Sequence, residues 1–257
     1  TSIAVCVAGL LVVSGRLLAA CPEVVGVWPY GPANVVAVAG DLAYLGSGSG
    51  LLIVDLSDES APRVIGGIAL PGVAKAIKVS GRYAYVAAGL AGLRVIDVLA
   101  PSAPAEVGFL ELPNGADDVV LSRSHAYVTS SDGLRVVTVL TPSQPRLAAL
   151  VATPRPALGV AVYRRHAYVT EGDVTTGEGP LRVIDVRTPS EPVEVAVVDL
   201  PGLAGDLAVA DDRAYLVEAD RSAGEEGLRV IDVSVPSAPR DVGFIGIRGA
   251  SEIVVSG

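Results

Sequence analysis

Polar residues that could bind a ligand open the first predicted strand of successive repeats. They are Asn34, Lys75, Asp117, Asp118, Asp206, Ser251 and Glu252. Carboxylates together with an amide can hold a divalent cation in a hydrolytic site, provided that they converge on one point. All of these residues except Ser251 are therefore our candidate ligand-binding residues.

A second group of acids falls in two enlarged segments, residues 171–180 and 218–227, which we interpret as loops. The acids are Glu171, Asp173, Glu178, Glu218, Asp220, Glu225 and Glu226. Loops carry binding residues disproportionately, and clustered carboxylates repel one another unless a cation or a basic partner offsets the charge. We predict that both loops lie on the same face as Asp117, Asp118 and Asp206. We also predict that this face attracts a cationic partner or Ca²⁺, and we expect no other cofactor. Acidic loops that are merely solvated are the alternative.

The other repeated polar residues are better explained by structure than by chemistry. Asp55, Asp97, Asp185 and Asp232 precede corners rich in Ser and Pro, where a carboxylate accepts backbone N–H bonds in an Asx turn. Arg94, Arg135, Arg182 and Arg229 recur as expected cross-strand partners. The only histidines, His125 and His166, lie in different repeats, so we expect no metal there. No catalytic motif occurs, so we assign no catalytic residue and do not expect an enzyme.

Composition narrows the class of protein. The 257 residues are 51% hydrophobic and 18% charged, which favours a folded domain with a large core. The formal net charge of −9 argues against nucleic acid as a partner, because phosphate binding requires a surface rich in Lys and Arg.

An internal repeat supplies the elements that must position these residues. Tyr44, Tyr85, Tyr127, Tyr168 and Tyr215 each follow an alanine, with a period of about 41 residues. Each repeat holds four apolar runs of strand length bounded by Gly or Pro. We predict an all-β fold: a β-propeller of four-stranded antiparallel blades, with five complete blades and a partial or composite sixth. The first strand of a blade lines the central channel, so the candidate ligand-binding residues would form the channel mouth.

The third run of each repeat carries a family resemblance. It reads Leu51-Leu52-Ile53-Val54-Asp55, Leu93-Arg94-Val95-Ile96-Asp97, Leu181-Arg182-Val183-Ile184-Asp185 and Leu228-Arg229-Val230-Ile231-Asp232. These segments resemble the LVIVD repeat of bacterial and archaeal cell-surface and secreted proteins, and the resemblance covers residues 33–257. The third repeat departs from it with Val136-Val137-Thr138. The resemblance implies a propeller at the cell surface and implies no particular activity.

Residues 1–21 have two interpretations. The apolar run from Ile3 to Val13, followed by Leu18-Ala19-Ala20-Cys21, resembles a signal peptide with a bacterial lipobox. A lipobox would lead to lipidation of Cys21 and export to the cell surface, periplasm or extracellular space. Alternatively, residues 9–13 and 22–26 resemble residues 50–54 and 62–66, so the segment would form degenerate strands of a closing blade with residues 250–257. Residues 22–257 are assigned to the propeller domain, and under the first interpretation that domain is truncated at its C-terminal end.

These observations predict an exported, lipid-anchored propeller that acts as a binding or interaction scaffold for a protein or glycan partner. The alternative is a channel-centred, metal-dependent hydrolase resembling a lactonase, which would need inward carboxylates around one cation. A purely structural element of a larger surface assembly is the third hypothesis.

Overall fold

A computed structural model describes residues 2–7, 10–13, 33–173, 175–220 and 225–256. These residues form β-strands and turns, with one short 3-10 turn at Gly89–Ala91. Within the described ranges no helix has the length and apolar character needed to cross a membrane. The chain divides into two compact units, one of Glu23–Ser130 and Arg135–Ala148, the other of Thr1–Pro22, Ser131–Leu134 and Ala149–Gly257.

Five four-stranded antiparallel sheets follow one another along the chain. Sheet 1 contains β3 (Val35–Ala39), β4 (Leu42–Ser47), β5 (Gly50–Asp55) and β6 (Arg63–Ala69). Sheet 2 contains β7 (Ala76–Ser80), β8 (Tyr83–Ala87), β9 (Leu93–Asp97) and β10 (Ala105–Leu110). Sheet 3 contains β11 (Val119–Ser122), β12 (His125–Ser130), β13 (Gly133–Thr138) and β14 (Arg146–Ala152).

Sheets 4 and 5 repeat this order with longer strands. Sheet 4 contains β15 (Ala157–Tyr163), β16 (His166–Glu171), β17 (Gly179–Asp185) and β18 (Val193–Leu200). Sheet 5 contains β19 (Leu203–Ala210), β20 (Arg213–Asp220), β21 (Glu225–Asp232) and β22 (Arg240–Gly246). The prediction of four strands per repeat is therefore confirmed in all five repeats.

Sheet 6 combines strands from both ends of the chain. Its order is β2 (Leu10–Val13), β1 (Ser2–Val7) and β23 (Ala250–Ser256), all antiparallel. The lipobox-like residues 18–21, with Cys21, lie outside the described residues, as does the segment 22–26. The described strands match the composite arrangement considered for residues 250–257, while cleavage at Cys21 stays a prediction.

The repeated tyrosine and the third strand build the core between consecutive sheets. In one unit, Tyr44, Leu51 and Ile53 of sheet 1 belong to the same buried cluster as Ile77 and Val86 of sheet 2. Full burial of such side chains stabilises the fold by about 1.5–3 kcal/mol each.

The same pattern recurs in both units. Tyr85, Leu93 and Val95 of sheet 2 are in one cluster with Val119 and Val128 of sheet 3. Tyr168, Leu181 and Val183 of sheet 4 are in another with Leu207 and Leu216 of sheet 5. Tyr215 and Leu228 of sheet 5 are in a third with Ile253 of sheet 6. One face of each sheet in these pairs therefore covers the opposite face of the next sheet.

Glycines in the fourth strand allow the corner of the next sheet to approach. A Cβ atom on Gly66 would lie 2.0 Å from the carbonyl oxygen of Pro101, and one on Gly108 would lie 2.2 Å from that of Pro142. Both distances are far below van der Waals contact, so these positions require glycine for packing rather than for an unusual backbone angle.

Candidate functional site

At four of the six first-strand starts a buried alanine precedes a residue that varies between repeats. Ala74, Ala116, Ala157 and Ala204 have no solvent exposure. The next residue is exposed in Lys75 and Asp117, and the equivalent Asn34 and Ser251 are exposed as well. Leu158, after Ala157, is half-buried, and Ala33 and Ala250, which precede Asn34 and Ser251, are not buried. The residue type at this position therefore changes between repeats, while burial of the preceding alanine is not constant.

Backbone hydrogen bonds hold three of these exposed residues in place, all in the unit that contains Glu23–Ser130. The N–H groups of Asn34, Lys75 and Asp117 donate to the carbonyl oxygens of Gly46, Ala87 and Thr129 at 2.7, 2.8 and 3.0 Å. The acceptor follows the repeated Ala-Tyr pair by the same interval in each case. The start of strand one is therefore held against the end of strand two, while the side chain remains in solvent.

Lys75 and Asp117 influence each other electrostatically. Partial removal from water raises the pKa of the Asp117 carboxyl above its usual value, and the positive charge of Lys75 opposes that shift. This lysine and this carboxylate are an exposed pair of opposite charges in one unit.

Asp118 is half-buried and bonds to its own backbone. The N–H of Val119 donates to Oδ1 of Asp118 at 2.7 Å, and the N–H of Asp118 donates to Oγ1 of Thr129 at 2.9 Å. At least one oxygen of this carboxylate is therefore engaged in structure rather than free to bind a ligand.

Asp206 joins two sheets. Its Oδ1 accepts the N–H of Leu207 at 2.9 Å, and its Oδ2 accepts the N–H of Ile253 in β23 at 2.7 Å. A register shift between Ala204 and Leu207 places it there. The candidate Asp206 is thus a structural tie between sheets 5 and 6, whereas the neighbouring Glu252 is exposed.

Thr170 makes a comparable tie between sheets 4 and 5. Its hydroxyl accepts the N–H of Gly159 at 2.9 Å and donates to the carbonyl oxygen of Gly205 at 3.0 Å. A Cβ on Gly159 would lie 2.6 Å from that same oxygen, so glycine permits the two strand starts to approach.

The structure confirms a connection between strands within segment 171–180 and corrects the loop interpretation for most of segment 218–227. Strand β16 runs to Glu171, β17 starts at Gly179, and Asp173 and Glu178 pair as an isolated bridge between them. Strand β20 runs to Asp220 and β21 starts at Glu225. Residues 172–178 thus connect β16 to β17, whereas residues 218–220 and 225–227 belong to strands, because cross-strand pairing extends β20 and β21 into sequence that looks loop-like.

Glu171 and Glu218 are buried and paired with arginine. Their exposed fractions are 0% and 1%. Arg182 donates to Glu171 and Glu194, and Arg229 donates to Glu218 and Asp241. These arginines therefore bridge strand two to strand four across strand three, which confirms the prediction that they are cross-strand partners.

Sequence reasoning did not identify Glu171 and Glu218 as the partners of these arginines, although a signal was present. Glu171 and Glu218 occupy the same place in their repeats, three residues after the tyrosine. In sheet 3 the same place is Ser130, whose Oγ accepts from Nε of Arg135 at 3.2 Å. In sheet 2, Arg94 donates instead to the carbonyl oxygen of Ala91 and to Glu106 at 3.4 Å.

The other acids of the two segments differ in exposure. Asp173 is half-buried, and its pKa is lowered by hydrogen bonds from the hydroxyl and N–H of Thr175. Glu178 is exposed, and Oε2 of the exposed Glu226 accepts the N–H of Gly249 at 2.9 Å. Asp220 and Glu225 are opposite each other in register.

The predicted neighbourhood of the two segments is found within one unit. A Cβ on Gly172 would lie 1.8 Å from Cδ1 of Leu203, so the end of β16 lies against the start of β19. Ala204 is paired with Glu218, which places the end of β20 beside the start of the same strand. The position of Asp117 and Asp118 relative to these acids stays a prediction, since they belong to the other unit.

The Asx-turn prediction is confirmed at all four corners. The N–H groups of Ser57, Leu99, Arg187 and Ser234 donate to Oδ1 of Asp55, Asp97, Asp185 and Asp232 at 2.9, 3.0, 2.9 and 2.9 Å. These recurrent carboxylates therefore shape the corners.

The described residues bring no metal-binding set together. No group of three or more His, Cys, Asp or Glu residues able to hold a metal ion occurs among them. Nδ1 of His125 lies 3.4 Å from Oγ of Ser124, and burial lowers the pKa of this imidazole. Nδ1 of His166 lies 3.3 Å from the carbonyl oxygen of Arg164.

Three solved structures illustrate the fold. The Pseudomonas aeruginosa periplasmic gluconolactonase PpgL is 14% identical, with 97% of this chain and 84% of that chain covered and a TM-score of 0.73. The β-propeller domain of Myceliophteria thermophila Cps50 (Swd1) is 14% identical, with 88% and 74% covered and a TM-score of 0.67. The computationally designed Ika8 protein is 12% identical, with 88% of this chain but only 65% of that chain covered and a TM-score of 0.66.

The repeats also match a known sequence family. Comparison with curated proteins finds no match. The LVIVD repeat, in contrast, matches residues 30–68, 71–110, 114–153, 154–199 and 201–244. These five matches cover most of the chain and coincide with the five four-stranded sheets. The chain therefore belongs to the LVIVD repeat family and has the β-propeller fold.

Proposed function

We propose that this protein is an exported binding scaffold whose partner contacts the exposed residues that open the first strands. The observation that carries the proposal is the exposure of Asn34, Lys75, Asp117 and Ser251 at equivalent strand starts, where the residue type changes from repeat to repeat. Rigid elements that present variable polar side chains are suited to recognition, because little order is lost on binding.

The side chains at these positions favour a polar partner. Asn34, Lys75 and Asp117 in one unit, and Ser251 and Glu252 in the other, supply donors and acceptors suited to sugar hydroxyls or to polar groups of a protein. The net charge of −9 disfavours nucleic acid. A glycan or protein at the cell surface is therefore the proposed class of partner.

Binding to an array of immobilised neutral and acidic glycans tests whether the partner is a glycan. Capture of labelled cell-surface protein tests whether the partner is a protein. The variant Asn34→Ala/Lys75→Ala/Asp117→Ala should weaken binding by about tenfold or more, because each lost hydrogen bond contributes about 0.5–1.5 kcal/mol. The matched control is Glu59→Ala/Glu191→Ala, at exposed corner residues. Equal losses in both variants, or no bound glycan or protein, would reject the proposal.

The acids at the hairpin ends are proposed to attract Ca²⁺ by their charge. Asp173, Glu178 and Glu226 retain exposure, and like charges in proximity attract a cation. Calorimetric titration with Ca²⁺ should show weak binding that Asp173→Asn/Glu178→Gln reduces further, and a chelator should lower the melting temperature. No heat of binding and an unchanged melting temperature would remove Ca²⁺ from the proposal.

A lactonase-like hydrolase is the second candidate function. The likeness to PpgL over 97% of this chain favours it, although at 14% identity the likeness is one of fold. The candidate residues would be Asn34, Asp117 and Asp118, which belong to one unit, around a divalent cation. The rate of gluconolactone hydrolysis, measured with and without Ca²⁺, decides between the two functions. A scaffold leaves this rate at its spontaneous value. An enzyme raises the rate above the spontaneous value, and Asp117→Asn should abolish that increase.

A further inference from the structure

The corner that follows the third strand carries an exposed leucine in sheets 2 and 3. Leu99 is 66% exposed and Leu140 is 78% exposed. The equivalent residues of the other repeats are Ser57, Arg187 and Ser234. Polar side chains are thus accepted at this position of the repeat, so packing within the chain does not explain the two leucines.

Backbone hydrogen bonds place both leucines at the same end of their sheets, within one unit. The N–H of Val98 donates to the carbonyl oxygen of Arg82, and the N–H of Val139 donates to that of Ser124, both at 2.8 Å. Each acceptor lies in the turn between the first two strands of its sheet. Each leucine therefore follows a residue that is held against this turn.

The turn next to Leu140 contains an arginine in a left-handed backbone conformation. The φ angle of Arg123 is +55°, and the equivalent residues Gly40 and Gly81 have φ angles of +59° and +58°. A side chain in this region is unfavourable relative to glycine. Arg123 is exposed, so burial does not offset that strain. Such strained residues cluster where a side chain has a role in binding.

Basic side chains are in excess around the two leucines. The carboxylates at this end of sheets 2 and 3 are each paired with an arginine, Asp97 with Arg82 and Glu106 with Arg94. The strained arginine of the turn and Arg146 add two exposed positive charges. Exposed acids occur at the same end of sheet 1, at Asp41, Asp58 and Glu59. The basic surface is therefore confined to sheets 2 and 3, and we call its four exposed residues the corner patch: Leu99, Leu140, Arg123 and Arg146.

We propose that the corner patch binds the surface of a membrane that contains anionic lipid. Arginine is attracted to lipid phosphate groups, and a leucine that enters the interface is removed from water. The N–H of Leu99 donates to Oδ1 of Asp97 at 3.0 Å, so this leucine projects from a fixed turn. The net charge of −9 repels an anionic surface elsewhere on the chain, and the patch therefore determines which end approaches it.

This orientation deepens the proposed function, and it rests on the export included there. Lys75 and Asp117 open the first strands at the opposite end of sheets 2 and 3, where the N–H of Lys75 donates to the carbonyl oxygen of Ala87. A membrane at the corner patch leaves these candidate ligand-binding residues facing away from the lipid. They would remain accessible to a glycan or a protein.

Flotation of the purified chain with lipid vesicles tests the proposal. Cys21→Ser is present in every sample, so that no lipid anchor contributes. This parent chain should bind vesicles of phosphatidylcholine with about 30% phosphatidylglycerol, bind pure phosphatidylcholine less, and be released by high salt. Leu99→Ser/Leu140→Ser should lower the partition coefficient by about tenfold or more, because each leucine leaves water on insertion. Leu90→Ser is the matched control, since Leu90 is 88% exposed at the opposite end of sheet 2 and should leave binding unchanged.

Arg123→Gly separates binding from folding. Glycine is the residue of sheets 1 and 2 at this position, so the variant should not lower the thermal midpoint. Its binding to the anionic vesicles should nevertheless weaken by about fivefold, because one positive charge near the surface is lost.

The proposal is overturned if the parent chain does not bind anionic vesicles, or if Arg123→Gly binds them as well as the parent does. An equal loss of binding in Leu90→Ser and in the double serine variant overturns it too. Binding to immobilised polyglutamate without binding to vesicles would assign the patch to an acidic protein instead. Because all samples lack the Cys21 thiol, failure of lipid labelling in the full gene product would reject the anchor and leave the vesicle result standing.

Discussion

Glu171 and Glu218 show how a single residue can look like a ligand in sequence and be a structural group in three dimensions. Each lies in an acid-rich segment, yet each is buried and paired with the arginine of the adjacent strand. A buried carboxylate keeps its charge at low cost only when donors replace the lost water. Arg229 donates to both oxygens of Glu218, whereas Arg182 donates to Oε1 of Glu171 and leaves the buried Oε2 without a hydrogen-bond partner. Both acids are therefore paired within the sheet, and Glu171 only in part.

The Arg229 ladder gives a prediction for one residue. Glu218→Ala should lower the free energy of unfolding by about 3 kcal/mol, because it leaves a mostly buried guanidinium with only the partly exposed Asp241. Arg229→Leu/Glu218→Ala should cost less, since sheet 1 already accommodates Leu52 at the equivalent place. Urea denaturation measures both variants.

An exposed ion pair provides the control for that experiment. Arg63 is 70% exposed in its contact with Asp55, so Arg63→Ala should change the free energy of unfolding by less than about 1 kcal/mol. A Glu218→Ala variant that is no less stable than Arg63→Ala would contradict the role assigned to the ladder.

The corner after the third strand is an element whose structure follows from its sequence. An aspartate before a Ser- or Pro-rich segment predicts an Asx turn, and the carboxylate accepts the N–H two residues on in every corner tested. The N–H donor of each turn lies only two residues from its carboxylate, which is why the sequence alone predicts the turn.

These turns predict a loss of stability in acid. Hydrogen bonds, chiefly from Ser57, Arg82, Arg187 and Ser234, hold the pKa values of Asp55, Asp97, Asp185 and Asp232 below their usual value. A carboxyl whose pKa is lower in the folded chain contributes stability that is complete above its unfolded pKa of about 4 and is lost as pH falls through the lower folded value. Urea midpoints should therefore be level near neutral pH and fall below about pH 4.

Asparagine separates the turn from its titration. Asp185→Asn/Asp232→Asn retains an acceptor oxygen for the N–H groups of Arg187 and Ser234 but carries no titratable group. The double variant should keep most of its stability at neutral pH and lose less on acidification than the wild type. An identical acid response would mean that other groups govern it.

At the scale of the whole molecule, local patterns predicted the strands and the family, whereas distant contacts set the roles of the site residues. The Ala-Tyr pair recurs in all five repeats and Val-Ile-Asp in three of them, so strand number and order could be predicted. The tie from Asp206 to Ile253 spans 47 residues and depends on a strand register shift that no local signal reveals. The sequence could therefore identify candidate acids. It could not tell which of them accept hydrogen bonds within the fold and which face solvent.

The two interpretations of residues 1–21 exclude each other in the mature protein. Strand β1 pairs with β23 from Ser2 opposite Ser256 to Val7 opposite Ala250, and β2 pairs with β1. Cleavage before Cys21 would remove both strands and leave β23 without its partner in sheet 6. Export with lipidation, and a sheet that includes β1, therefore describe different products.

We predict that the exported form is made when the full gene is expressed in a bacterium. Labelled fatty acid should be incorporated into the wild-type protein and not into Cys21→Ser, because the thiol of Cys21 is the acceptor in a lipobox. Cys6→Ser is the matched control and should remain labelled, since Cys6 would be removed with the signal. Mass spectrometry of the purified product should then find an N-terminus at Cys21. A soluble product that retains residues 1–20 and protects the β1 amides from hydrogen exchange would instead establish the composite sheet and reject lipid anchoring.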